Sequence, residues 1–156
     1  MSDLVKGHII FDHDGTLVKV GGGQFQLFEG MKELLLELKK QNFALYIWTA
    51  RPRSSVQQII AKLDIASMFD AIYCYDDGVP KPHPEGLKQL TIGIDKKKIL
   101  HIGDSSSDIE GAKAYGVDVI AACWNDPKQK DFFVKSTPLI ASTLEECKKI
   151  IRGKYV

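Results

Sequence analysis

The sequence has only three cysteines, Cys74, Cys123 and Cys147, far apart and without a C-x-x-C pair. Such spacing offers neither a disulfide framework nor a zinc cluster, which points to a reducing compartment. No apolar run approaches the roughly 20 residues that a membrane-spanning helix needs. The opening Met1-Ser2-Asp3-Leu4 carries no cleavable signal pattern and leads within a few positions to an apolar run, so the cytoplasm is the expected location. An excess of one charge is missing as well: 21 Lys and Arg stand against 20 Asp and Glu, a formal net charge of +1. That balance gives no electrostatic case for nucleic acid or an anionic membrane. The run Lys96-Lys97-Lys98 reads as a solvated turn before a strand. Internal repeats, low-complexity tracts and linkers are absent too. A chain of 156 residues, 44% hydrophobic and 26% charged, is then expected to form one domain over residues 1–156 with an ordinary buried core.

What is present is strand then helix, repeated. His8 to Phe11 is a short apolar run that stops at Asp12. Met31 to Lys40 carries Leu34, Leu35 and Leu38 at helical spacing. Phe43 to Trp48 is continuously apolar, as a strand covered on both faces should be. Ser54 is placed to cap a helix running to about Leu63, with Val56, Ile59, Ile60 and Leu63 inward. Ala71 to Tyr75 reads as the third strand. Pro84 suits the first turn of the next helix and Gly93 its end. Lys98 to Ile102 is the fourth strand, Asp108 to Tyr115 a helix closed by Gly116, and Val117 to Ala122 the fifth strand. Leu139-Ile140 adds a short sixth, and Thr143 caps a last helix to about Ile151. Alternation of this kind predicts a three-layer α/β/α, Rossmann-like domain around a parallel sheet. In such sheets ligands bind beyond the carboxyl ends of the strands.

Four polar features stand at those ends. Asp12-His13-Asp14-Gly15-Thr16 follows the first strand, Thr49-Ala50-Arg51 the second, Lys81 the third, and Gly103-Asp104-Ser105-Ser106-Ser107-Asp108 the fourth. Each has an ordinary structural explanation by itself. Asp and Gly form turns, Thr49 could be a strand-end hydroxyl and Lys81 a surface lysine, and Asp104 and Asp108 could charge a helix start. A calcium loop of the EF-hand type is excluded, since its sixth position is Leu17 and its twelfth Gly23.

Together, the four make one chemistry. Carboxylates of Asp12 and Asp104 can share a hard cation such as Mg2+ with a phosphate oxygen. Asp12 could attack phosphorus and form an acyl phosphate, while Asp14 protonates the leaving oxygen and later deprotonates water. Lys81 and Thr49 offer a cation and a hydroxyl to the equatorial oxygens. Asp108 is placed to hold Lys81 or a metal-bound water.

With these residues in order, the chain resembles the haloacid dehalogenase superfamily of phosphohydrolases over nearly its whole length. The resemblance is carried by FDHDGT at 11–16, the Thr of IWTARP, the Lys of PKPHPE and IGDSSSDIEGAKAYG at 102–116. It implies Asp12 as nucleophile, Asp14 as general acid and base, Thr49 and Lys81 as phosphoryl-binding residues joined by Ala50 and Arg51, and a supporting role for Asp108. It also implies magnesium ligated by Asp12, Asp104 and the backbone carbonyl of Asp14. An Asp at position 14 places the chain with the phosphatase branch; a phosphotransferase or mutase on the same chemistry, or a regulatory domain that keeps the fold, are the alternatives.

The family inserts substrate-covering caps after the first or second motif. Here 34 residues, 15–48, separate Asp14 from Thr49, and 31 residues, 50–80, separate Thr49 from Lys81. A flap of about residues 17–28, one helix and one strand fill the first interval; a helix, a strand and a loop fill the second. No cap domain is expected, although the motif sequences resemble phosphoglycolate-phosphatase-like members that usually carry one. The cysteine-rich zinc loop of the capless histidinol and heptose bisphosphate phosphatases is missing as well. An open site implies a large phosphorylated substrate or a second subunit as lid, so a homo-oligomer is compatible. In the flap, Gly21-Gly22-Gly23 predicts a mobile turn, and Phe25 and Phe28 are either core or lid. His13 should point away from Asp12 and Asp14 if the strand continues through it. His101 should be a satisfied buried group, His83 could reach substrate from its loop, and Arg51 could meet an anion of the leaving group.

Overall fold

A computed structural model describes residues 4–156; the expectation at Met1-Ser2-Asp3 lies outside the described residues. Six parallel strands form the sheet: β1 (Gly7–Phe11), β4 (Phe43–Trp48), β5 (Ala71–Tyr73), β6 (Ile99–Gly103), β7 (Asp118–Ala122) and β8 (Ile140–Ala141). Their spatial order is β5-β4-β1-β6-β7-β8, so the chain reverses its direction of travel across the sheet between β1 and β6. Crevices at such switch points are where ligands bind in open α/β sheets. The other two strands, β2 (Val18–Gly21) and β3 (Gln24–Leu27), pair antiparallel as a separate hairpin.

Alternation along the strands sends side chains to two cores. Ile9, Phe11, Leu45, Ile47 and Ile102 pack on one face, under α1 (Met31–Lys40), α2 (Arg53–Lys62) and α6 (Leu144–Lys154). Ile10, Tyr46, Trp48 and Ile99 pack on the other, under α3 (Glu85–Leu90), α4 (Ser106–Tyr115) and α5 (Gln129–Phe133). Helix α1 forms where its spacing predicts, because Met31, Leu34, Leu35 and Leu38 fall on one buried stripe. Each such side chain contributes roughly 1.5–3 kcal/mol through burial. Among the described residues no helix is long and apolar enough to cross a membrane.

Some boundaries differ from the sequence expectation. Helix α2 starts at Arg53, with Pro52 rather than Ser54 as its N-cap. Pro52 is extended and presets the entry, and Arg53 is tied at once to Asp77 and the Ile72 carbonyl. Strand β5 ends at Tyr73 because Asp77 accepts the Cys74 N–H (2.7 Å) and winds residues 75–77 into a single 3-10 turn. Helix α3 stops at Leu90, before Gly93, where the Thr91 hydroxyl donates to the Leu87 carbonyl. Helix α5 was not foreseen, since Gln129–Phe133 buries only Phe133 and shows no full apolar period. Thr143 does cap α6, accepting from the Glu146 N–H, and Gly116 ends α4 in a left-handed conformation.

Between Asp14 and Thr49 the described chain holds the β2–β3 hairpin, α1 and β4; between Thr49 and Lys81 it holds α2, two 3-10 turns and β5. The flap is thus an antiparallel hairpin turning at Gly22-Gly23. Its two aromatics divide: Phe28 is buried in the core, whereas Phe25 remains 38% exposed.

Candidate active site

Sheet register assembles the site. Phe11 is level with Ile47 on one side and Ile102 on the other, and the Asp12 N–H donates to the Ile102 carbonyl (2.9 Å). Residues just beyond those positions therefore emerge side by side. A cavity of about 400 Å³ at this edge is lined by Asp12, Asp14, Thr49, Ala50, Arg51, Pro52, Lys81, Asp104, Ser105 and Ser107. Of the catalytic, phosphate-binding and metal-binding residues expected from sequence, Asp12, Asp14, Thr49, Ala50, Arg51, Lys81 and Asp104 are there, and the supporting Asp108 is fully buried.

Lys81 is the hub. Its ammonium donates to Asp12 Oδ1 (2.9 Å) and Asp108 Oδ1 (2.5 Å) and sits 4.6 Å from the centre of the Trp48 ring. Burial works against its charge, but Asp108 and Asp12 outweigh burial and raise its pKa. Asp108 is held from all sides: Oδ1 also accepts from His101 Nε2 (2.8 Å), and Oδ2 accepts from the Ser105 N–H (3.1 Å) and hydroxyl (2.8 Å). Burial opposes ionisation of Asp108 as well, yet Lys81 and His101 keep its carboxyl far below the ordinary range. Ser105 and Asp108 form the capping box of α4, so Ser105 is the N-cap. The pattern Ser105-x-x-Asp108 signalled this in the sequence, which assigned helix-start roles to the aspartates alone. His101 is the satisfied buried group expected, with its other nitrogen 2.7 Å from the Ile10 carbonyl.

The remaining carboxylates have different surroundings. Burial pushes Asp12 up to about 8, with Lys81 pulling against it and Asp108 and Asp104 adding to it. Burial also raises Asp104. Oxygens of Asp12, Asp104 and Asp108 lie within 4.8 Å of one another. Since Asp108 spends both oxygens on protein donors, Asp12 and Asp104 are the pair left to ligate a cation. Two crowded carboxylates, both disfavoured as anions by their burial, suit a hard divalent ion. Gly15 makes room for this pair: its φ is +80°, and a Cβ there would run into the Asp104 carboxylate. Thr49 is buried and its Oγ1 accepts from the Arg51 N–H (3.1 Å), leaving its own hydrogen free to donate into the cavity.

His13 does not point away from Asp14; Nδ1 is 2.6 Å from Asp14 Oδ1. Strand alternation fails there because β1 ends at Phe11 and a turn follows, with the His13 carbonyl accepting the N–H groups of Leu17 and Val18. Arg51 likewise turns to the protein: Nε donates to Asp14 Oδ1 (2.7 Å) and Nη1 to the Ser55 hydroxyl (2.8 Å), and Cζ lies 4.9 Å from the Phe25 ring centre. Burial raises Asp14, but the bonds from His13 and Arg51 outweigh it and lower its pKa. His83 is exposed, accepts the Glu85 N–H (3.1 Å) and does not line the cavity.

A model of the haloacid dehalogenase-like hydrolase family matches residues 19–122, a stretch that includes Thr49, Lys81, Asp104 and Asp108. A phosphoglycolate phosphatase of Photorhabdus laumondii is 38% identical over 94 residues, covering 58% of this chain and 40% of its own. A pyrophosphatase PpaX of Bacillus cereus is 28% identical over 127 residues, covering 80% and 56% respectively. The chain thus spans about half the length of the curated relatives it matches. Among solved structures, a HAD-superfamily hydrolase from Ehrlichia chaffeensis superposes with a TM-score of 0.77 at 18% identity, over 99% of each chain. A haloacid dehalogenase-like family hydrolase from Streptococcus pneumoniae gives 0.76 at 22% identity, over 93% of this chain and 98% of the other. Those two likenesses bear on the fold, and the family match covers more than half of the sequence. This chain belongs to the haloacid dehalogenase-like hydrolases.

Proposed function

We propose that the protein is a magnesium-dependent phosphatase that hydrolyses a phosphomonoester through an aspartyl phosphate on Asp12. The observation that carries this is the Lys81 ammonium seated between Asp12 and Asp108 at the switch point of the sheet. Asp12, Asp104 and the backbone carbonyl of Asp14 would hold the ion. When bound, magnesium supplies positive charge that lets an anionic carboxylate approach an anionic phosphate.

The chain's own residues account for the rest. The Asp12 carboxylate attacks phosphorus as the ester P–O bond breaks. Asp14 gives the leaving oxygen its proton and then takes one from the water that displaces Asp12, so phosphate and an alcohol are released. Lys81, locked by Asp108, presents a fixed charge to the equatorial oxygens, and the Thr49 hydroxyl donates to another. No reorganisation of Lys81 is needed, because its partners are already in place.

The cavity opens to solvent and the intervals flanking Thr49 contain only the flap and core elements. This supports a large substrate that shields its own phosphate, or a second subunit that covers the edge. Water is the natural acceptor at such an open edge, which favours hydrolysis over transfer to a retained hydroxyl. Purified protein should release phosphate from an aryl phosphate with magnesium and lose that activity with a chelator. Asp12→Asn should abolish turnover while the fold survives. No turnover across sugar phosphates, nucleotides, phosphopeptides and lipid-linked phosphates would overturn the proposal.

A further inference from the structure

We propose that His13 and Arg51 are positioning residues for Asp14, gripping one of its carboxylate oxygens so that the other is free to carry the proton of the leaving group. This rests on the assignment of Asp14 as the general acid and base. Both donors converge on the same atom: His13 Nδ1 at 2.6 Å and Arg51 Nε at 2.7 Å from Oδ1. Among the described residues no protein donor reaches Oδ2, and the Asp14 side chain remains 43% exposed at the cavity wall. An ionised carboxylate only accepts, so the His13 hydrogen facing it must sit on Nδ1.

Each gripping residue is itself immobilised. His13 is fully buried, and its backbone carbonyl accepts from Leu17 (3.0 Å) and Val18 (3.1 Å), which fixes the turn that carries it. Arg51 is anchored to α2 through Ser55 and covered by the flap through Phe25. Turn, helix and flap thereby converge on one oxygen. Without these donors a side chain on a turn would sample other χ1 and χ2 rotamers, and proton transfer needs the oxygen within hydrogen-bond reach. Arg51 thereby commits Nε and Nη1 to the protein.

A positioning role has a signature that a merely structural one lacks. General acid assistance matters most for a poor leaving group, so its loss is felt on an alkyl phosphate far more than on p-nitrophenyl phosphate. With magnesium present, Asp14→Asn should lower kcat/KM, which reports phosphoryl transfer to Asp12 and not the later hydrolysis in which Asp14 serves as base, by roughly 10²–10⁴-fold on the alkyl ester and much less on the aryl ester. His13→Leu and Arg51→Met should show the same selectivity at roughly 10- to 100-fold, the scale of a misplaced group. His13→Asn, whose side-chain amide nitrogen can take the place of Nδ1, should recover most of the loss. Arg51 lies at the rim and is partly exposed, so its variant keeps the test valid if His13→Leu does not fold. Equal losses of kcat/KM on both esters, or no loss in either variant, would overturn the positioning role while leaving Asp14 in place. If Asp14→Asn itself showed no leaving-group selectivity, the acid assignment and the positioning proposal would fall together.

Discussion

Replacing Asp108 by Asn removes one charge from a fully enclosed pair while changing almost nothing in volume. Asp108 Oδ1 receives Lys81 and His101, and Oδ2 receives the Ser105 N–H and hydroxyl. An amide keeps one acceptor oxygen. If that oxygen serves Lys81 and His101, the NH2 group faces the Ser105 N–H, donor against donor, and the return arm of the α4 capping box is lost. Lys81, whose side chain is 4% exposed, is left with Asp12 as its one carboxylate partner among the described residues. Breaking a buried pair by removing one partner costs about 3–5 kcal/mol. Asp12 retains part of the compensation, so the lower end applies, and the unmade bond to the Ser105 N–H adds about 1 kcal/mol. A loss of about 3–4 kcal/mol is a large share of the roughly 5–15 kcal/mol that folds a domain of this kind. Urea denaturation followed by tryptophan fluorescence, with chelator present so that no cation adds stability, should show a lower midpoint at unchanged slope. The double variant with Lys81→Met should be less damaging than the sum of the two single changes, since the charge left stranded is then removed as well. A loss below about 1 kcal/mol, or strict additivity, would refute the view of Lys81–Asp108 as the buried strut of the site.

Two further outcomes follow from local geometry. Gly15→Ala places a Cβ against Asp104 at a positive φ; it should cost about 1–3 kcal/mol and weaken magnesium binding, seen as a higher magnesium concentration for half-maximal activity, and an unchanged magnesium requirement would contradict the role given to Asp104. Asp77 accepts from Arg53 through both oxygens (2.7 and 2.8 Å) and from the Cys74 N–H, and Arg53 foremost lowers its pKa. A carboxyl depressed in the folded state stabilises above the ordinary Asp value of about 4 and loses that contribution as pH falls below it. Asp77→Asn should therefore cost about 1 kcal/mol near neutrality, discounted because Arg53 is partly exposed. The gap from wild type should close on acidification, and a gap that widens in acid would contradict the sign.

Legibility in the sequence followed the physics of each element. Phe43–Trp48 and Met31–Lys40 form with the boundaries their patterns predict, because a strand buried on both faces and a helix with one buried stripe leave little freedom. The site was legible for a related reason: a parallel register forces the residues after successive strands to one edge, so spacing alone brings Asp12, Thr49 and Asp104 together. What supports them was harder to read. Trp48 under Lys81 and Arg51 on Asp14 depend on side-chain direction across distant segments, which no local period encodes. His13 departs from strand alternation because β1 ends at Phe11 and a turn follows. Phe25 and Phe28 look alike in sequence, yet Phe25 lies within β3 and stands over Arg51, whereas Phe28 follows the end of that strand and enters the core.

The covalent step can be observed directly. In an Asp14→Asn variant, which attacks phosphorus but cannot readily activate water, acid quenching during turnover of an aryl phosphate should trap one phosphoryl group on the peptide containing residue 12. Mass spectrometry should find that adduct labile to hydroxylamine and absent when Asp12 is also replaced by Asn. Phosphate release that continues with residue 12 replaced, or an adduct on any other side chain, would contradict Asp12 as the nucleophile.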